Sequence, residues 1–227
     1  MAIIQFFTIN TIAELTCFMV ALFCLWKDSS RIWRSMIFFQ LITCLAELTG
    51  IYFKKIFIAN HFHGHSNPWI YNILLIFQAI FFSLVFNQIL SKYKNCRPVI
   101  LTSLAVLALF YTYESFNHGI YEYNNITNTI MAVLLVCYSL FYFFNLLKDD
   151  TYVNLFYLPT FWWVTGILFF YFGDTACNLF YEKLKPILMV HKHYLRNIYS
   201  ILNVILYSCW SYSFICRKWL AKKSEIL

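Results

Sequence analysis

The chain has 227 residues, of which 61% are hydrophobic, 22% aromatic and 12% charged; its mean hydropathy is +0.64. Soluble domains are about 45–50% apolar and about 25% charged, so a water-soluble globule is excluded. Five Gly and four Pro are too few for a collagenous, low-complexity or disordered chain. The formal charge of +7 is read as topogenic Lys and Arg, with no nucleic acid as partner. What remains is an all-α, polytopic membrane protein.

A spanning helix needs about 20 mostly apolar residues. Such runs, bounded by charge clusters, predict seven spans at about 5–26, 35–53, 69–91, 98–116, 126–147, 160–181 and 199–217, in one integral membrane domain over residues 1–227. Every Lys and Arg falls in a connection or in the tail. Asn67-Pro68 reads as an N-cap followed by a proline at the first helical position, and Pro98 and Pro159 open spans four and six in the same way. The first span starts close to Met1 with no charged leader or cleavage site, which predicts a retained helix rather than a signal peptide. With no connection longer than about 17 residues, any chemistry belongs inside the bundle or at its rims.

Orientation follows from the Lys/Arg bias of the connections. Lys27, Arg31, Arg34, Lys92, Lys94, Arg97, Lys148, Arg217, Lys218, Lys222 and Lys223 fall on one side. Lys54, Lys55, Lys183, Lys185, Lys192 and Arg196 fall on the other. The heavier side is the cytoplasmic one, so the N-terminus is expected outside and the C-terminus inside, with a basic inner face suited to a cytosolic or membrane protein partner.

Ionisable side chains inside a membrane are costly and usually face the protein interior. Here they are Glu14 in span one, Glu47 in span two and Asp174 in span six; Glu114 and Glu182 lie near helix ends and are expected to reach water. Gln40, Thr43, Glu47, Gly50 and Lys54 recur at three- and four-residue steps on one helical face. Asn10, Glu14, Cys17 and Ala21 do the same, Asp174 and Asn178 form an i,i+4 pair, and Ser200, Asn203, Tyr207 and Ser211 make a stripe in span seven. Because span direction alternates, Glu47, Asn72, Asp174, Asn178 and Asn203 fall in the same half of the membrane, with Glu14 near its middle. These six are the expected ligand-binding residues. The plain alternative is interhelical hydrogen bonding, about 0.6 kcal/mol per bond.

The histidines lie on that same side. His61, His63 and His65 alternate, so in an extended segment their rings point one way, and His191 and His193 form a second group. Neutral imidazole is the commonest zinc or copper ligand, so these five are the expected metal site. No cysteine of the eight falls in an outer connection, which excludes an extracellular disulfide framework. Cys96 and Cys216, near the inner face, are candidates for acylation against the plainer reading of free thiols. Asn125-Ile126-Thr127 matches a glycosylation acceptor. Trp26, Trp33, Trp69, Trp162, Trp163 and Trp219 read as interfacial anchors.

Familiar seven-helix families set requirements that this chain does not meet. A retinal protein needs a lysine midway through span seven, and Tyr199–Arg217 holds none, so retinal is not expected. Paired Pro-Gln motifs of SWEET-like transporters are missing, and the helix-borne histidines of alkaline ceramidase-like hydrolases are replaced by histidines in connections. Glu47-Leu-Thr-Gly50-Ile-Tyr52 and Asn67-Pro-Trp69-Ile-Tyr71-Asn72, with Phe161-Trp162, Gly166, Tyr171-Phe172, Leu202-Asn203 and Tyr207, resemble a pattern in small multi-span proteins of the Bacteroidota. Gln78 departs from it, standing where an acidic residue is expected. The resemblance implies a bacterial inner (cytoplasmic) membrane and a place beside signalling or defence components.

The leading functional expectation is a receptor-like or accessory membrane protein whose polar pocket, in the outer half of a seven-helix bundle, binds a small ligand, a lipid headgroup or a cation. One alternative is a metal-dependent membrane enzyme acting on lipid, with Glu47 or Asp174 as general base and the histidines as ligands. Another is an oligomeric pore or transporter lined by the Glu14 and Glu47 stripes. Membrane lipid and a second copy of the chain are the other expected partners.

Overall fold

A computed structural model describes residues 8–60, 66–149, 154–190 and 193–220, with backbone alone for 180–190, 193–196 and 220. Seven α-helices follow in order: α1 (Ile9–Leu25), α2 (Arg31–Ala59), α3 (Pro68–Leu90), α4 (Arg97–His118), α5 (Asn125–Lys148), α6 (Pro159–Val190) and α7 (His193–Ile215). A 3-10 turn at Leu155–Tyr157 leads into α6, and a π-helical turn at Cys216–Leu220 continues α7. No strand occurs among the described residues.

Among the described residues, five segments are long and apolar enough to cross a membrane: α2, α3, α4, α5 and Asn197–Trp219. α1 is apolar but has 17 described residues, about 26 Å at 1.5 Å per residue. The described residues are therefore all-helical, with several helices of the length and hydropathy of an integral membrane protein.

The helix starts follow local chemistry. Pro68 sits in the first turn of α3 and Pro98 in that of α4, where a missing N–H costs nothing because those amides have no partner within the helix. Pro159 opens α6 in the same way. The Thr8 hydroxyl accepts the Thr11 amide at 3.2 Å and caps α1. α4 ends at Gly119, whose φ of +78° suits a residue without Cβ.

Three boundaries differ from the expectation. α2 runs to Ala59 rather than stopping near residue 53, α6 reaches Val190 rather than 181, and α7 begins at His193 rather than near 199. Hydropathy drops where Lys54, Lys55, Lys183 and Lys185 enter, but Lys is a good helix former, so the backbone continues past the apolar run. The 29 and 32 residues of α2 and α6 correspond to about 44 and 48 Å, well beyond a hydrocarbon core of about 30 Å.

The chain forms two structural units, whose boundaries fall within α2 and α5: residues 41–131, and residues 8–40 with 132–220. In the second unit α6 and α7 pack as an antiparallel pair. Gly166 lets Cys209, the Leu206 carbonyl and Trp210 approach to 3.1–3.3 Å of where a Cβ would stand. Trp163 stacks on Trp210 at 6.0 Å, and the Trp210 indole donates to the Trp163 carbonyl at 3.1 Å. The Ser213 hydroxyl donates to the Pro159 carbonyl at 2.7 Å. Trp163 is 1% exposed and belongs to this core, a correction to its reading as an interfacial anchor. α1 packs on α7 through Thr11, Glu14, Cys17, Ala21 and Cys24, residues spaced to share one face.

In the first unit α3 packs against α4. Only Ile100, Leu107 and Glu114 of α4 are buried. They stand seven residues apart, so α4 is held along a seam one residue wide and leaves its other faces open.

Candidate functional site

The second unit carries the acidic group of α6. Asp174 is 5% exposed. Its Oδ1 accepts from the Tyr199 hydroxyl of α7 at 3.1 Å and from the Asn178 amide, one turn on, at 3.4 Å. The Tyr199 hydroxyl also lies 3.4 Å from Asn178 Oδ1. Gly173 admits Leu202 of α7, whose Cδ atoms would stand 2.7 Å from a Cβ there, and so brings the two helices close at this level. Asp174 and Asn178 therefore meet as their spacing predicts, with Tyr199 as a third member. Asn203 does not join them through its amide, which donates to the Tyr199 carbonyl of its own helix at 2.9 Å. Glu14 is buried on the α1 face that packs on α7.

The first unit carries Glu47 and Asn72. Glu47 is half-buried and its Oε2 accepts from the Tyr71 hydroxyl at 3.0 Å. Gly50, one turn beyond Glu47, makes that reach possible: a Cβ at Gly50 would lie 2.6 Å from the Tyr71 hydroxyl. Asn72 is buried and committed to the α4–α5 connection. Its amide donates to the carbonyls of Ile120 at 3.0 Å and Glu122 at 2.6 Å, and its Oδ1 accepts the Asn124 amide at 3.1 Å. Both amide protons are thus engaged, leaving Asn72 little with which to hold a ligand.

Glu114 differs from its expected place at a wet helix end. It is 4% exposed, and its carboxylate accepts the Ile126 amide at 2.9 Å, the Thr127 amide at 2.7 Å and the Thr127 hydroxyl at 2.6 Å. It caps α5 from the preceding helix, satisfying amides that have no partner within α5 and placing negative charge at the positive end of its dipole. The same bonds occupy Thr127 of the Asn125-Ile126-Thr127 sequon inside the protein.

His61, His63, His65 and His191, together with the side chain of His193, lie outside the described residues. Among the described residues no three His, Cys, Asp or Glu side chains converge to hold a metal ion. Cys216 is fully buried, with Sγ 3.5 Å from the Phe156 carbonyl; that burial withholds it from acylation, while Cys96 is half-exposed.

On the basic rim, Asp28 of the α1–α2 connection holds Arg217 through two bonds, at 2.7 and 3.1 Å. Partial burial pushes the Asp28 carboxyl up, but bonds from Arg217 and the Ser30 amide, with the charges of Arg217 and Arg34, hold it below the usual carboxylate range. Arg217 also lies 5.5 Å over the Trp33 ring, and Lys218 donates to the Phe23 carbonyl at 2.8 Å. Two cations of the predicted docking face are thus engaged within the protein, joining the end of α7 to α1 and the start of α2.

The phenols were the members that composition could not single out. Tyr199 precedes Asn203 by four residues on the same stripe, so helical spacing carried a signal for it; Tyr71 had none, since a neighbour of Asn72 in sequence points to a different helix face. In comparisons with known proteins, no family model, no curated protein and no solved structure matches this chain.

Proposed function

We propose that this chain is a receptor-like or accessory integral membrane protein that binds a small cationic group through its membrane-embedded acids. The reading takes seven spans, an outer N-terminus and a cytoplasmic C-terminus in a bacterial inner membrane, in keeping with the Lys/Arg bias and with the Bacteroidota-like segments. The observation that carries it is the group formed by Asp174, Asn178 and Tyr199, with Asp174 buried in α6. A carboxylate, an amide carbonyl and a phenol offer oxygen ligands, which suit hard cations such as Na⁺, Mg²⁺ or Ca²⁺, or the ammonium of a lipid headgroup. Zinc and copper favour imidazole and thiolate instead. Glu47 with Tyr71 repeats the carboxylate–phenol pairing and forms a second acidic element of the same chemistry.

The test is thermal unfolding of the purified full chain in nanodiscs. One arm titrates NaCl, MgCl₂ or CaCl₂ against choline chloride, and another exchanges phosphatidylcholine for phosphatidylethanolamine. A ligand at ten times its Kd stabilises the native state by about 1.4 kcal/mol. The expected outcome is a saturable rise for one of these probes that Asp174→Asn abolishes and Glu47→Gln reduces. Equal rises in wild type and both variants would rule the reading out. A salt response and a headgroup response separate the two sources of cationic ligand.

A further inference from the structure

The first unit holds a cavity of about 330 Å³ between α3, α4 and the start of α5. Its floor is buried: Leu75, Leu107, Thr127 and Met131. Its walls are open, with Ile76 at 40% and Ile80 at 49% exposure on α3, and Ala108 and Thr112 exposed on α4. The cavity is therefore a groove that opens sideways, away from the protein. It exists because Ala79 and Ala108 present a single methyl each where the seam of α4, buried every seventh residue, leaves the two helices apart.

The helices that form this groove are among those long and apolar enough to cross a bilayer, so its mouth faces hydrocarbon. Both threonine hydroxyls of the lining are spent within the protein: Thr112 donates to the Ala108 carbonyl at 3.0 Å and Thr127 to Glu114 at 2.6 Å. An apolar groove gives water no partners, and an empty one forfeits the dispersion contacts of its walls. Along α4 the lining runs from Leu104 to Thr112, about 12 Å at 1.5 Å per residue. One leaflet of hydrocarbon is about 15 Å deep. One end of the groove lies at Thr127, in the first turn of α5, and the other near the middle of α4.

We infer that this groove holds a single acyl chain of a membrane lipid, lying along α4 through one leaflet. No residue of its lining belongs to the Asp174 group or to the Glu47–Tyr71 pair, so the acyl-chain site stands or falls independently of cation binding. The chain belongs to a phospholipid of the bilayer, since the lining holds no charged group to receive the carboxylate of a free fatty acid.

The experiment reconstitutes the full chain in phosphatidylcholine nanodiscs. One arm carries phosphatidylcholine with a diazirine in its acyl chain, the other palmitate with the same group. After irradiation, adducts are mapped by peptide mass spectrometry. The expected result is enrichment at Leu104 and Ala108 over Val106 and Tyr113, which face bulk lipid on the far side of α4. Ala108→Phe, at an exposed position, fills the groove and removes the enrichment while leaving adducts at Val106 and Tyr113 unchanged. Ala79→Phe does the same from α3 should the first variant fail to accumulate. Enrichment in the phosphatidylcholine arm is the expected result, and enrichment with palmitate alone would put a free fatty acid in its place. Equal labelling of the two faces in wild type, enrichment that survives both fillings, or cross-linking of two copies through Ala108 would overturn the inference.

Discussion

Removing the Glu114 carboxylate should loosen the first turn of α5 and little else. Glu114→Ala deletes three bonds of 2.6–2.9 Å and leaves the Ile126 and Thr127 amides without their acceptor. Hydrogen bonds to a charged group contribute about 1.5–3 kcal/mol each, and loss of a helix cap costs about 0.5–2 kcal/mol. The three bonds share one carboxylate and do not add, so about 3 kcal/mol is expected for the α5 start, roughly a hundredfold in its opening equilibrium. Glu114→Gln keeps one acceptor oxygen but turns an NH₂ toward a donor, and should cost about 1–2 kcal/mol. Hydrogen exchange of the nanodisc-embedded protein reads this directly. Peptides covering residues 124–131 should exchange about a hundredfold faster in Glu114→Ala, while peptides around Trp163 and Trp210 keep their protection. Unchanged exchange over 124–131 would refute the capping role.

Glycine substitutions should separate by what the new methyl meets. Gly166→Ala presses on Cys209 Cβ and the Leu206 carbonyl at 3.1–3.3 Å and should lower stability by about 1–3 kcal/mol. Gly50→Ala meets the far end of Tyr71, which can swing off Glu47; a helix-propensity gain of about 1 kcal/mol offsets the lost bond, so thermal stability should hardly move while the Tyr71–Glu47 contact is lost, as Tyr71→Phe would show independently. Asn72→Ala should free the α4–α5 connection and speed its cleavage by protease, with an unchanged digestion pattern as the contrary result. The Asp28 carboxyl is held below the value of about 3.9 found for a free aspartate, so its contribution to stability is full above that value and is lost as pH falls through the lower folded value. Acid titration of thermal stability should show this drop in wild type and a flatter profile in Asp28→Asn; identical profiles would contradict it.

Much of the fold was legible because the bilayer imposes it. A spanning helix must be apolar and must satisfy its own backbone, so the helices stand out as uncharged runs, and Pro68, Pro98 and Pro159 mark three of their starts. What hydropathy could not show is how far a helix continues once it leaves hydrocarbon, since lysine-bearing segments after Phe53 and Tyr181 are as helical as the apolar runs before them. Site residues divide in the same way. Asp174 and Asn178 were readable because an i,i+4 pair meets by helix geometry alone. Asn72 and Glu114 were not, since their main partners are backbone groups of the α4–α5 connection and of the first turn of α5, some 12 to 52 residues away, and backbone groups leave no mark in composition. Trp163 shows the converse: a tryptophan near a helix start suits an interface as well as a core, and its stack with Trp210 depends on the register between α6 and α7.

Cation binding at the Asp174 group is tested most directly by native mass spectrometry of the full chain released from nanodiscs after equilibration with Na⁺, Mg²⁺ or Ca²⁺. One adduct per chain that resists desolvation, present in wild type and missing in Asp174→Asn, is the result expected. Adducts of equal number and stability in the two proteins, or none in either with any of the three cations, would contradict it.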